Sequence, residues 1–352
     1  MISSLKLTNF RSYDQAHITF HPSITIIEGP NATGKTNLLE AIFVMATTKS
    51  FRAKDAELIR HDQEFYRIEL QLQDKELALG YQKNQSGTQK RAFLDGAKQS
   101  LVQHLNHMQV VLFEPNDLQL VLGSPDRRRR YLDFILTQTN PRYLQTLHQY
   151  RRVLQQRNSL LANWSGNQGE LFAWNIKLAE LAADIDAGRR EVIGHINTLA
   201  KELYRDIAGT AEDLSLSYIG TVEQDDYPTR FTALLEQNLS RDIGAGFTTT
   251  GPHRDDFDIS FKHNDITSVA SRGEMRTVVL VLKLAELKYI QQQTERPPIL
   301  LLDDVFSELD ESRRNYLIHA LKGKQVVITT TDGDMARQFH DAKIIKSGEG
   351  KI

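Results

Sequence analysis

The chain has 352 residues, with 43 Lys and Arg against 45 Asp and Glu, a formal net charge of −2 and no cysteine. That length suggests two lobes with buried cores, and the lack of thiols excludes disulfides and thiolate metal sites, as in a reducing cytosol. No apolar run approaches a membrane span and MISSLKLTNF is not a leader, so a cytoplasmic protein with no membrane partner is expected; any nucleic-acid affinity must come from local patches.

Alternating apolar and polar residues predict strands at Ile2 to Leu7 and His17 to Phe20. The apolar run Ile24 to Ile27 then leads into Gly29, Pro30, Asn31, Ala32, Thr33, Gly34, Lys35 and Thr36. These eight residues spell a complete phosphate-binding loop, G-x-x-x-x-G-K-[ST], with an apolar helical repeat (Leu38, Leu39, Ile42, Phe43) behind it. The glycines let successive N–H groups converge on phosphate oxygens. Lys35 supplies a charge to the β- and γ-phosphates, and the Thr36 hydroxyl suits Mg²⁺, so ATP with Mg²⁺ is the expected ligand.

Further strands are predicted at Phe65 to Leu72, Glu76 to Tyr81 and Gln109 to Phe113, with Asp95-Gly96 as a hairpin turn. The middle of the chain is helical. Leu144, Leu147, Leu154 and Leu161 mark one stripe; Leu178, Leu181, Ile185, Val192, Ile196, Leu199, Leu203 and Ile207 mark a longer one. Trp164 to Gly169, W-S-G-N-Q-G, reverses the chain between them into an antiparallel hairpin, whose tip Trp164 and Trp174 flank as packing groups. Strands return at Leu214 to Ile219, Asp256 to Phe261, Ile299 to Asp303, Gln325 to Thr329 and Lys343 to Lys346. The fold class is α/β: an ATPase lobe in two parts, 1–115 and 212–352, interrupted by a helical lobe or short arm over 116–211.

Two later segments carry chemistry. Ile299 to Asp304, I-L-L-L-D-D, is a buried strand that delivers Asp303 to Mg²⁺, and Asp304 to the attacking water as base or orienting group. Upstream, Ser271 to Arg276, S-R-G-E-M-R, opens an apolar helix whose Ser271 and Gly273 could present N–H groups to a phosphate, although serine is also a common helix cap.

Phosphate loop, long insertion, Ser-x-Gly helix start, acidic strand and S-E-L-D (Ser307 to Asp310) occur in the order of an ABC-type ATPase head. The chain resembles, within that class, the RecF family of bacterial recombination mediators related to SMC heads. The resemblance runs nearly end to end. It rests on L-T-N-F-R-S-Y (Leu7 to Tyr13), K-S-F-R (Lys49 to Arg52), V-V-L-F-E-P-N-D-L (Val110 to Leu118), G-S-P-D-R-R-R-R-Y-L-D (Gly123 to Asp133) and T-G-P-H-R-D-D (Thr250 to Asp256).

The resemblance implies an ATP-dependent head-to-head homodimer, in which Lys35 and Thr36 of one copy and Ser271 and Gly273 of the other close on ATP. It places Arg11, with Asn9 beside it, near the phosphates. It also implies DNA binding at gaps and single/double-strand junctions, and recombinase loading with RecR- and RecO-type mediators in repair, replication and the SOS response. The chain departs from transporter-type ABC proteins: F-E-P-N-D lacks the expected Gln, Thr330 or Thr331 stands where a His switch would, and the base position is Asp, not Glu. Slow, DNA-stimulated turnover is therefore expected. The departures count against a transporter subunit, and the Ser-x-Gly helix against a small-molecule kinase.

For DNA, the informative stretch runs from Asp126 to Arg157 and contains Arg127, Arg128, Arg129, Arg130, Arg142, Arg151, Arg152 and Arg157, opposed only by Asp126 and Asp133. Consecutive arginines on a helix point all round it, so some must pair internally. Arg127, Arg128, Arg151 and Arg152 are the candidate phosphate contacts. In T-G-P-H-R-D-D, His253 and Arg254 are expected to pair with acids in a turn, and not to hold a metal.

Overall fold

The computed structural model describes residues 1–84, 87–166, 168–333, 338–339 and 341–348. The chain opens with β1 (Ile2–Phe10), β2 (Tyr13–Thr19) and β3 (Ile24–Glu28), then α1 (Lys35–Thr47). Next come β4 (Phe65–Leu72), β5 (Lys75–Asn84), β6 (Gly87–Leu94), β7 (Ala97–Gln99), α2 (Leu101–His104) and β8 (Val110–Phe113). Strands β2-β1-β4-β5-β6-β7 form an antiparallel sheet. Its inner face carries Leu5, Leu7, Ile68, Leu70, Leu77 and Leu79, all buried, while Lys6, Arg67 and Arg91 point the other way. Asp95 and Gly96 both take positive φ between β6 and β7, and Leu94 pairs directly with Ala97, as a two-residue hairpin requires. The sequence shows no strand signal for β6, because T-Q-K-R-A alternates too little to stand out.

The central stretch holds α3 (Gln119–Leu122), α4 (Pro125–Thr139), α5 (Pro141–Ala162), α6 (Gln168–Ala208), β9 (Leu214–Ile219), α7 (Tyr227–Gln237) and α8 (Leu239–Ala245). It continues with β10 (Asp256–Phe261), β11 (Asn264–Asp265), α9 (Ile266–Val269) and α10 (Arg272–Thr294). Proline at the first helical position starts α4 and α5, and the Asn140 side chain caps α5 by accepting from Arg142 N–H at 3.0 Å. Arg157 donates to Asn175 Oδ1 at 2.7 Å, while Gly188 sits beside Leu136 and Tyr143. Early α5 thus meets the middle of α6, and late α5 meets its beginning, so the hairpin is antiparallel; Asn167 at its reversal lies outside the described residues. The α5 core stripe is not the leucine stripe alone. Tyr143, Leu147, Tyr150, Val153, Arg157 and Leu161 are buried, whereas Leu144 and Leu154 are half-buried. Strands β11-β10-β9 make a small antiparallel sheet.

The chain ends with β12 (Ile299–Asp303), α11 (Glu311–Leu321), β13 (Val326–Thr330) and β14 (Ala342–Lys346). These strands complete a parallel sheet in the order β14-β3-β13-β12-β8. Helix α1 packs on β1, β4 and β5 on one side and on β8, β12 and β13 on the other. It is buried from Leu38 to Ala46, a run that is apolar but for Glu40.

The elements group into two units, Met1–Asp117 with Ile290–Ile352, and Leu118–Tyr289. Residues 212–289, assigned on sequence to the ATPase lobe, fall in the second unit, because β9 pairs with β10 and packs on α6. No helix among the described residues is long and apolar enough to cross a membrane.

Candidate nucleotide-binding site

The parallel sheet delivers three strand ends to one edge: Glu28 of β3, Asp303 of β12 and, between them, Thr329 and Thr330 of β13. Ligand sites of open α/β sheets lie at such C-terminal edges. The loop leaving β3 turns into α1 through Gly34, whose φ of 96° is left-handed and whose Cβ would sit 2.9 Å from Ser12 Oγ. Tyr13 donates to the Gly34 carbonyl at 3.1 Å, and Ser347 donates to the Thr33 carbonyl at 3.2 Å. The loop is braced from outside its own motif.

Lys35 is 7% exposed and its Nζ donates to the Gly29 and Pro30 carbonyls, each at 2.7 Å. Burial holds its pKa below the usual lysine value, against the pull of Asp304 and Asp303. The Thr36 hydroxyl donates to Asp303 Oδ1 at 2.9 Å, and the Thr329 hydroxyl donates to the same oxygen at 2.7 Å. Hard oxygens so close together suit Mg²⁺, which takes few protein ligands and fills its shell with water and phosphate oxygens. Asp304 has a left-handed φ of 50°, and its N–H donates to the Thr329 hydroxyl at 3.2 Å. Burial, then the neighbouring Asp303 charge, raises the Asp304 pKa. Residues 267 positions apart in sequence thus share one hydrogen bond.

Thr329 had no signal of its own in the sequence; it reads there as the end of an apolar strand. Ser347 was equally silent, and Tyr13 stood out only as the end of the L-T-N-F-R-S-Y block. Thr330, one of the two candidates for the switch position, accepts from the Asp332 N–H at 3.0 Å in a local turn.

Arg11 grips the fully buried Glu40 of α1 through Nε and Nη2, both at 2.8 Å, and donates to the Glu57 carbonyl. Arg52 joins the same carboxylate at 2.9 Å, and the Ser50 hydroxyl donates to it at 2.5 Å. Although burial opposes it, bonding from Arg11, Arg52 and Ser50 holds the Glu40 pKa below the usual carboxylate range. Asn9, buried and with a positive φ, accepts the Arg60 N–H on its carbonyl. L-T-N-F-R-S-Y and K-S-F-R therefore converge on the phosphate-loop helix.

All 352 residues match the RecF/RecN/SMC N terminal domain family. "DNA replication and repair protein RecF" of Bacillus cereus strain G9842 is 38% identical over 370 residues, spanning 100% of this chain and 98% of that protein. The chain belongs to the RecF family. The Bacillus thuringiensis Al Hakam RecF is equally similar, at 38%. A solved structure described as the recombination mediator protein RecF-ATP in the RecFOR pathway superposes with a TM-score of 0.90 at 30% identity, over 99% of this chain and 96% of that one. An SMC head bound to the C-winged helix domain of ScpA matches at a TM-score of 0.56 and 16% identity, over 99% and 95%, which shows shared fold alone. The architecture is that of an ABC-type, SMC-like ATPase head.

RecF-family blocks also shape the second unit. At the start of α10, Ser271 Oγ accepts from Glu274 N–H at 3.3 Å, and the Glu274 carboxylate accepts from Ser271 N–H at 2.7 Å. This is a capping box, with both residues accessible at a helix N-terminus, and Gly273 lies between them in the first turn. Lys262 at the end of β10 donates to Glu274 at 2.8 Å.

The arginine run divides. Arg128 is committed to Asp256 through two bonds of 2.7 Å and to the Gly123 carbonyl, so its candidacy as a phosphate contact gives way to an internal clamp. Arg157 is wholly buried, donating to Asp242 and Thr248. Arg129 reaches the Asp255 carbonyl, and Arg130 pairs with Asp126. Acids distant in sequence, Asp242 and Asp256, supply the missing opposition. Arg127, Arg151 and Arg152 are exposed and make no ion pair among the described residues.

His253 departs from expectation too. It sits between the Tyr150 hydroxyl at 2.8 Å and the Thr248 carbonyl at 3.0 Å, with no acid partner among the described residues, and burial lowers its pKa to about 4. Arg254 lies over the Phe247 ring at 5.2 Å and pairs with no acid among the described residues.

Proposed function

We propose that the chain is an ATP-gated DNA-binding protein of recombinational repair, acting at gaps and single/double-strand junctions. The observation that supports it most is the Thr36–Asp303 contact beneath a braced phosphate loop, in a family whose relatives are DNA replication and repair proteins. In this reading Gly29 to Thr36 would hold ATP, Lys35 would exchange its two carbonyl bonds for phosphate oxygens, and Thr36 and Asp303 would hold Mg²⁺. The metal, when bound, neutralises charge between the β- and γ-phosphates. Asp304, its pKa raised by burial, is suited to accept a proton from, or orient, the attacking water. Arg11 acts by clamping Glu40 and so fixing α1, and Asn9 by shaping the same turn.

Ser271 and Gly273 of a second copy would complete the site, which makes ATP binding a dimerisation step. ATP bridging two chains favours the closed state, and hydrolysis releases it. A short Asp base and Thr330 or Thr331 at the switch position fit slow hydrolysis, a timer for loading a recombinase with RecR- and RecO-type partners in the cytoplasm.

The test is anisotropy of labelled gapped duplex with and without ATP·Mg²⁺ at two salt concentrations. Affinity should rise with ATP. Replacing Arg127, Arg151 and Arg152 by Gln should flatten the dependence of log K on log salt by about 0.9 for each phosphate that is no longer neutralised. Absence of DNA binding in both nucleotide states would discard the reading.

A further inference from the structure

The outer face of the antiparallel sheet, away from α1, carries a cleft of about 350 Å³ lined by Phe65, Arg67, Gly80, Gln82, Arg91 and Phe93, among others. Its centre is Gly80, which pairs with Arg67 of β4 on one side and Arg91 of β6 on the other. Adjacent strands lie about 4.8 Å apart, so the two arginine backbones flank a slot about 10 Å wide.

Glycine in the middle of a strand costs stability and usually answers a backbone need. None exists here. Gly80 has no positive φ, and an added Cβ would meet nothing nearer than the Tyr66 carbonyl oxygen at 3.7 Å, an ordinary contact. What the missing side chain supplies is the open slot itself, and a strand glycine without a local cause marks close approach by another molecule.

The walls identify the chemistry. Phe65 is 41% exposed at one end of the slot, and Phe93 lies at the other with the Arg67 guanidinium 5.9 Å above its ring. Arg67 gives one N–H to Glu69 at 2.9 Å, and Arg91 gives one to Gln89 at 2.6 Å. Along the same face Lys6 pairs across strands with Glu69, and Lys98 with Phe93. Cations thus outnumber the carboxylates Glu69 and Glu76. Aromatic rings on an open sheet, bordered by arginines, are what stacked bases and their phosphates require. A duplex keeps its base faces stacked inside and would use neither Phe65 nor the slot.

We propose that this sheet face is a single-stranded DNA site, separate from the arginines of α4 and α5: unpaired bases stack on Phe65 and Phe93 across the Gly80 slot, and Arg67 and Arg91 meet the phosphates. The inference rests on the DNA-binding reading above and adds to it a place for the unpaired strand of a gap.

The experiment titrates the full-length chain and its Gly80→Val and Phe65→Ala variants against three fluorescein-labelled probes. These are oligo-dT of about 20 nucleotides, an abasic oligomer and a duplex of the same length. Valine suits a strand and has room, so Gly80→Val should fold, and its melting temperature and binding of a fluorescent ATP analogue report that it does. Loss of one stacked base should weaken oligo-dT binding by roughly tenfold or more in either variant, with abasic and duplex affinities unchanged. Unchanged oligo-dT affinity in folded Gly80→Val overturns the inference alone, as does equal wild-type affinity for oligo-dT and the abasic oligomer. A wild-type chain that binds none of the three probes overturns the DNA reading, and this inference with it.

Discussion

Lys35 shows how one side chain is set by its surroundings. Its ammonium is buried against two loop carbonyls, so removing it takes away the only charge the loop itself can offer a phosphate. Lys35→Ala should therefore lose binding of a fluorescent ATP analogue by at least about tenfold and show no ATP-dependent association; retained binding would refute the loop's role. Arg157 is the opposite case, a charge with no ligand to meet. It and Asp242 are both 0% exposed at the side chain, with a 2.7 Å bond between them. Asp242→Ala would strand the guanidinium and should cost about 3–5 kcal/mol, read as a lowered urea midpoint. In the sequence Arg157 is one more arginine of a basic stretch. Its burial depends on Asp242, Asn175 and Thr248, which only folding brings to it.

At the scale of elements, β10 works as a strut. Arg128 of α4 holds its first residue, Asp256, and Lys262 just past its end holds Glu274 in the first turn of α10. The Glu274 pKa is depressed to about 2 by the Lys262 bond first, then by the Ser271 N–H. A carboxyl with a lowered folded-state pKa stabilises the fold above its ordinary value near 4.5, and that stability is lost as pH falls toward 2. Between those limits wild type should lose stability more steeply than Glu274→Gln, measured by thermal melts; parallel curves would remove the strut's electrostatic part. The serine cap was readable in S-R-G-E, and the structure adds Glu274, three residues on, as its reciprocal partner. The lysine that completes it lies on another element, and its identity as a partner depends on how β10 ends.

For the whole molecule, the decisive expectation concerns two copies. Ser271→Arg places a bulky cation at an accessible helix start without touching the phosphate loop. It should leave ATP-analogue binding intact and prevent ATP-dependent association by sedimentation; a dimer that persists with ATP would refute the shared site. Much of this architecture was legible in the chain. The phosphate loop, the acidic strand and the long helical repeats are local patterns, because backbone turns, strand alternation and helix periodicity act over a few residues. The sequence by itself therefore determined an α/β ATPase fold with a helical arm, and it singled out Lys35, Thr36, Asp303 and Asp304, which the fold brings to one sheet edge. Tertiary structure alone decided that Thr329 bridges the loop strand and the acidic strand, that Arg11 serves Glu40, and that Arg128 and Arg157 belong to the interior. The reason is physical: a charged or hydroxyl side chain takes whatever partner burial leaves it, and that partner is set by packing between elements far apart in sequence.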